Sequence, residues 1–219
     1  MSYEAFKTRL TIATSITTTS RIKTHHLLAD SLQFDDNNNI KVVDVSLFDL
    51  PRVSIMCNNQ FLSSTSTLLD RLDLNRRIIG LFVPKLLNPA SGGHEVIGLK
   101  DTSNTLVGMV DLSLQPMDGS LSALQPSTLL SRKKLHKNLE PYICNLLVSP
   151  EFRNKGYGSR LLQECERRVR DRSLGSYMNL HVELVEIAAL KLYLKSGFVE
   201  TRRIGRGGND ILFLRKKLL

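Results

Sequence analysis

The sequence predicts an α/β (α+β) domain built on a mixed sheet, and three observations predict it. Residues 142–172 read as an apolar strand, a glycine-bearing turn and a helix with Leu161, Leu162, Cys165 and Val169 on one face. Residues 94–100 and 106–114 are apolar runs around the polar turn 101–105, a hairpin signature. From residue 40 onward, short strand-like runs alternate with segments whose apolar residues recur at helical spacing.

In chain order, the first 29 residues stand apart. Glu4 is the only acidic side chain before Asp30, whereas Lys7, Arg9, Arg21 and Lys23 are basic and Ser and Thr crowd positions 11–20. This composition fits either an organelle transit peptide, plastid or mitochondrial, or a disordered extension; without a transit function the protein would be cytoplasmic. The polar run Asp35-Asp36-Asn37-Asn38-Asn39 marks the boundary, so residues 1–35 are read as an extension and 40–219 as the domain.

Residues 40–45 alternate loosely and predict a first strand. The helical spacing of Leu47, Leu50, Val53, Ile55 and Met56 predicts a helix over 47–61, with Pro51 tolerated in its first turn. After a loop at 63–67, Leu68, Leu69, Leu72, Ile78, Ile79 and Phe82 predict a second helix over 68–87. The turn 89–93 leads into the hairpin. Residues 115–139, with Pro116, Gly119, Pro126 and the basic cluster Arg132-Lys133-Lys134, read as a long polar loop. Then come a central strand at 141–148, a helix at 156–172, a strand at 177–183 and a helix at 187–195 that Gly197 stops. Strands at 198–204 and 210–216 close the chain.

The 219 residues accommodate one domain of about 150–180 residues plus an extension. An apolar fraction of 42% is enough for a core. No run of about 18 apolar residues exists, so no membrane span is expected. Cys57, Cys144 and Cys165 are odd in number and widely spaced; they suggest free thiols in a reducing compartment and no metal site. The net charge of +9 suits an anionic ligand or an acidic substrate. The basic residues are dispersed and the chain has no Trp, which argues against nucleic acid.

The turn after the central strand points unbonded N–H groups of a helix N-terminus at one spot, a place for phosphate. It is not a P-loop, because GxxxxGK followed by Ser or Thr is absent. Nor is it a dinucleotide fingerprint, because Leu161 occupies the position of the third small residue. What remains is Arg153-Asn154-Lys155-Gly156-Tyr157-Gly158 after a strand ending Val148-Ser149-Pro150. A second motif follows, Ala189-Leu190-Lys191-Leu192-Tyr193-Leu194-Lys195-Ser196-Gly197-Phe198. Together these resemble the acyl-CoA-binding motifs of the GNAT acetyltransferase superfamily, over residues 140–200, and the strand pattern extends the likeness to about residue 40. The resemblance implies a mixed seven-stranded sheet splayed at its centre, with helices on both faces and the first two helices beside the acceptor site.

It also implies roles. The cosubstrate would be acetyl-CoA. Backbone groups of Leu146, Leu147 and Val148 would hold its pantetheine arm, with the Val148 N–H meeting the oxyanion. Arg153, Asn154, Lys155, Gly156, Tyr157, Gly158 and Ser159 would hold the pyrophosphate, the two glycines letting phosphate approach the backbone. Tyr193 would protonate the departing sulfur. His181, twelve positions earlier, would be the general base with Tyr142 assisting, as in N-terminal acetyltransferases of the superfamily. Glu183, on the same strand face as His181, is the alternative base. Where the family has Asn seven positions before the Tyr, this chain has Glu186, an acceptor-only group when ionised, which puts that contact with the cofactor in doubt.

Three functions remain open at this point. One is a protein acetyltransferase acting on α-amines, lysine ε-amines or both, a type that includes plastid enzymes. Another is a small-amine acetyltransferase with an enclosed acidic pocket to which Asp49, Asp70, Asp73 and Glu183 would contribute. The last is a catalytically silent acyl-CoA module, for which Glu186 is the support. Cys144 lies inside an apolar strand and reads as packing rather than as an acyl-enzyme nucleophile.

Overall fold

A computed structural model of the chain describes residues 34–35, 39–87, 94–116, 139–206 and 209–218. The N-terminal composition signal and the Arg132-Lys133-Lys134 cluster lie outside these residues. Eight strands form one sheet: β1 (Phe34–Asp35), β2 (Ile40–Asp44), β3 (His94–Lys100), β4 (Leu106–Pro116), β5 (Leu139–Val148), β6 (Tyr177–Glu183), β7 (Val199–Arg206) and β8 (Asn209–Lys217). Their spatial order is β1-β2-β3-β4-β5-β6-β8-β7. All neighbours are antiparallel except β5 and β6. The seven expected strands are present, and the two-residue β1 adds an eighth at the edge. Strands β4 and β5 run further than expected, pairing Gln115 with Glu140 and Pro116 with Leu139.

The β3–β4 turn is closed by two backbone bonds, Asp101 N to Thr105 O and Asn104 N to Asp101 O, both 3.0 Å. Asn104 takes the left-handed conformation there, which Asn tolerates.

Besides short 3-10 turns at Leu47–Asp49 and Pro150–Phe152, four α-helices occur among the described residues: α1 (Leu50–Phe61), α2 (Leu68–Leu87), α3 (Tyr157–Asp171) and α4 (Ile187–Lys195). They cover both faces of the sheet. One apolar cluster joins β3–β6 and β8 to α3 and α4, through Leu161, Leu162, Cys165, Val169, Tyr193 and Phe198. The other joins β3–β5 to α1 and α2, through Val53, Met56, Cys57, Leu74, Ile78 and Phe82.

The buried faces of α1 and α2 differ from the sequence expectation. In α1 the core residues are Val53, Met56, Cys57 and Phe61, and Ile55 points outward. In α2 they are Leu74, Ile78, Phe82 and Lys85, while Leu68, Leu69, Leu72 and Ile79 are exposed. Both helices carry apolar residues on more than one face, so spacing alone selects no single stripe.

Ion pairs, most of them buried on at least one side, stitch the layers together. Arg168 of α3 donates to Asp44 at 2.5 Å, Glu95 at 2.9 Å and Glu164 at 2.8 Å, tying α3 to β2 and β3. Lys85 of α2 pairs with Asp111 of β4, both nearly inaccessible. The three cysteines form no disulfide and are buried. No helix among the described residues is long and apolar enough to cross a membrane.

Candidate active site

The site begins with an irregularity in β5. Met109 faces Leu147 and Asp111 faces Cys144, so the single residue Val110 of β4 opposes two of β5, Asn145 and Leu146. Asn145 adopts a φ of 50°, and this bulge bends the strand. Beside it, β5 pairs with β6 only at Tyr142 and Asn179. The two strands then part, and the gap is a cavity of about 520 Å³. Its walls are β5 from Ile143 to Val148, the loop and helix start from Phe152 to Ser159 without Lys155, His181 and Val182 of β6, α4, and Gln60 and Phe61 at the end of α1.

The ladder also decides which way the end of β5 faces. Ser149 N donates to Val107 O at 2.9 Å, a hydrogen-bonded step. The alternation of an antiparallel pair then turns the N–H and C=O of Val148, opposite Gly108, away from β4 and toward the opening. The Val148 carbonyl accepts from Arg153 Nε at 3.1 Å.

The glycine-bearing loop ends at the N-terminus of α3, where Gly156 is the cap residue with a φ of 83°. Asn154 is also left-handed, at 60°. Successive N–H groups in such a turn, with the helix dipole behind them, form an anion cradle. The two glycines have different reasons. At Gly156 the requirement is the dihedral, since an added Cβ would meet nothing within 4 Å. At Gly158 an added Cβ would lie 2.8 Å from Leu192 Cδ2, so this glycine lets α4 pack onto the start of α3. The sequence reading assigned both to phosphate approach; Gly158 lines the cavity, and packing against Leu192 gives it a second reason.

The predicted pyrophosphate cations are partly engaged elsewhere. Besides Val148 O, Arg153 donates to Gln60 Oε1 at 3.1 Å. The Lys155 ammonium sits 5.1 Å over the Phe152 ring, and Lys155 is outside the cavity wall.

At the other end, Tyr142 of β5 and His181 of β6 meet: Tyr142 Oη lies 2.5 Å from His181 Nδ1. Tyr142 is fully buried, and His181 lines the cavity. Phe213 of β8 packs against the imidazole, centroids 5.7 Å apart. Glu183 shares the strand face but is buried outside the cavity wall. Tyr193 lines the cavity from α4, braced edge-on by Phe198 at 6.0 Å. Burial, with the Cys144 and Cys165 thiols and Glu186 nearby, pushes the Tyr193 phenol well above its usual range, so it stays protonated. Glu186 lines the cavity at the N-cap of α4.

Thus Leu146, Leu147, Val148, Arg153, Asn154, Gly156, Tyr157, Gly158, Ser159, Glu186, His181 and Tyr193 line one cavity, Tyr142 reaches it through His181, and Lys155 and Glu183 stand outside. The expected acidic pocket does not assemble. Asp49 pairs with Lys100 at 2.7 Å, Asp70 accepts from Thr67, and Asp73 pairs with Arg76 and Arg77 within α2. Glu186 is the only acidic residue among those lining the cavity.

Lining residues not anticipated include Gln60, Phe61, Asn145, Lys191 and Lys195, and Cys144, expected to pack, is on the wall as well. Asn145, a lone Asn inside an apolar run, was a legible signal of the bulge; Gln60 carried none. Cys144 faces the cavity and its Sγ accepts from Gln115 Nε2 at 3.6 Å. Burial pushes the Cys57 thiol up to about 12, which removes it as a nucleophile.

A family model described as the acetyltransferase (GNAT) family matches residues 69–198. GCN5-related N-acetyltransferase 5, chloroplastic, of Arabidopsis thaliana is 25% identical over 121 residues, covering 55% of this chain and 33% of that protein, so the match spans a third of the relative's length. Solved structures share the fold, among them the following two. Arabidopsis thaliana NAA60 in complex with acetyl-CoA has a TM-score of 0.57 and 17% identity, covering 82% of this chain and 98% of that one. A chimera of spermidine N-acetyltransferase SpeG from Vibrio cholerae and hSSAT has a TM-score of 0.55 and 15% identity, covering 83% and 96%.

Proposed function

The chain belongs to the acetyltransferase (GNAT) family, and from that premise we propose that it transfers acetyl from acetyl-CoA to a protein amine: an N-terminal α-amine, a lysine ε-amine or both. The attack is direct, in a ternary complex. The observation that carries this reading is the Tyr142–His181 pair, held at 2.5 Å where the strands part and opening on the same cavity as Tyr193.

The residues fit acetyl-CoA. The left-handed turn at Gly156 and the N-terminus of α3 suit a diphosphate, and the outward N–H of Val148 suits the thioester oxygen as it becomes an oxyanion. An acceptor ammonium must lose a proton before attack. His181 stands on the cavity wall and takes that proton, while Tyr142, hydrogen-bonded to its Nδ1, fixes the imidazole from behind. On collapse of the tetrahedral intermediate, Tyr193 gives its proton to the leaving sulfur; a phenol kept neutral by burial suits that donor.

A polycationic small-molecule acceptor is poorly served here. The cavity wall carries Arg153, Lys191 and Lys195 against one carboxylate, Glu186. Support for a plastid location comes from the acid-poor, Ser- and Thr-rich N-terminus together with the chloroplastic relative.

The test is mass spectrometry of a peptide library incubated with acetyl-CoA and the wild type, His181→Ala, Tyr193→Phe or Cys144→Ser. Acetylated peptides that vanish with His181→Ala and Tyr193→Phe but persist with Cys144→Ser are expected. Products lost with Cys144→Ser would replace direct attack by an acyl-enzyme. No peptide product, with acetyl-CoA still bound, would overturn the protein-amine reading and favour a metabolite amine or a silent module.

A further inference from the structure

Among the residues lining the cavity, Lys191 and Lys195 of α4 are two cations whose charge is not neutralised within the fold. Neither has a carboxylate within ion-pair distance among the described residues, whereas most other cations near the site are occupied. Arg153 is hydrogen-bonded to Val148 and Gln60. Lys155 rests on Phe152. Arg52 donates to Leu106 O, Ser149 and Glu151. The two α4 lysines are four residues apart, so they rise from one face of the helix.

Their position follows from packing. Leu192 would touch a Cβ at Gly158, so α4 lies directly against the phosphate-binding turn. Lys191 immediately precedes that contact and Lys195 is one turn beyond it. The ligand of the proposed reaction carries two separate anionic groups. Its diphosphate matches the backbone cradle at 153–159. Its ribose 3′-phosphate is a monoester, with about two negative charges at neutral pH, and it sits one sugar away from the diphosphate. The cradle consists of backbone N–H groups and cannot serve both.

We infer that Lys191 and Lys195 form a subsite for the 3′-phosphate of coenzyme A and make the protein selective for the 3′-phosphorylated cofactor over its dephospho form. This rests on the acyl-CoA reading above and adds the discrimination between two nucleotides that differ in one phosphate. No covalent step is involved. Because the lysines are exposed, their contribution is expected to fall with ionic strength.

The experiment is calorimetric titration of the whole chain with acetyl-CoA and with 3′-dephospho-acetyl-CoA at low salt, for the wild type, Lys191→Gln/Lys195→Gln and Lys155→Gln. The wild type is expected to prefer acetyl-CoA by about tenfold, the size that two exposed charge pairs supply together. The double variant should lose that preference while binding the dephospho form as the wild type does. Lys155→Gln should keep the preference. A wild type that binds both equally, a double variant that still discriminates, or loss of discrimination in Lys155→Gln instead would each overturn the subsite. A wild type that binds neither nucleotide would overturn the acyl-CoA reading itself, and the subsite with it.

Discussion

Two glycines with open space around them should respond to alanine in opposite directions. An added Cβ meets nothing within 4 Å at Gly80, inside α2, or at Gly156, at the cap of α3. Packing is therefore neutral at both, and backbone conformation decides. Gly80 is in a helix interior, where Ala is favoured by roughly 0.5–1 kcal/mol. Gly156 has a φ of 83°, where an L side chain costs roughly 1–2 kcal/mol. Gly156→Ala should therefore be less stable than Gly80→Ala by roughly 1.5–3 kcal/mol, the sum of the two terms. Urea denaturation followed by circular dichroism reads this difference from the shift in midpoint at constant slope. Gly156 also lines the cavity, so its new Cβ stands where the diphosphate must approach the N–H groups. Titration with acetyl-CoA should show Gly156→Ala weakened by about tenfold or more, Gly156→Val without measurable binding, and Gly80→Ala unchanged. Equal midpoints for the two alanine variants would refute the dihedral argument. Wild-type acetyl-CoA affinity in Gly156→Val would refute the phosphate-loop assignment.

Three further outcomes follow from particular contacts. Tyr193→Phe should lower kcat about a hundredfold, the scale of one general acid, with acetyl-CoA affinity nearly unchanged. Because burial raises this phenol above its ordinary 10.0, the wild type should show no loss of its acid function on the alkaline side up to that pH, and a fall below it in a pH–rate profile would contradict the role. Lys85→Met should cost about 3–5 kcal/mol by leaving Asp111 charged and unpaired inside the fold, whereas Lys85→Met/Asp111→Leu should recover most of it; a double variant no better than the single would show that the pair is not the source. His94 is depressed below its ordinary 6.5, first by burial and then by Lys85, with Asp111 opposing. The unfolded chain therefore binds a proton that the folded chain resists, so stability is complete above 6.5 and erodes as pH falls below it. His94→Gln should flatten the denaturation midpoint between about pH 7.5 and 5; an unchanged acid slope would exclude His94 as its source.

The cavity is lined by residues spread from Gln60 to Lys195, and this is where sequence and tertiary structure divide the work. The chain by itself determined what is local. A strand, a turn needing left-handed residues and an amphipathic helix are encoded within residues 142–172, because period and glycine placement act over a few residues. The Leu-Tyr motif around Tyr193, the hairpin at Asp101–Thr105 and the stop at Gly197, with its φ of 87°, are legible for the same reason.

Whatever depends on register or on distant partners was decided by the folded chain. Tyr142 and His181 are 39 residues apart and meet only because β5 and β6 pair at one position and then separate. Gln60 reaches Arg153 across 93 residues. The core faces of α1 and α2 could not be chosen by spacing, because Ile55, Leu72 and Ile79 are as apolar as the residues that are buried. By residue type Asp49, Asp70 and Asp73 could line an acidic pocket, yet Asp49 pairs with Lys100 of β3 and the other two are engaged at and within α2, away from the cavity. Side-chain chemistry and local dihedrals are properties of short segments. Which segments share a wall is settled by burying the two faces of one sheet together, a condition on the entire chain.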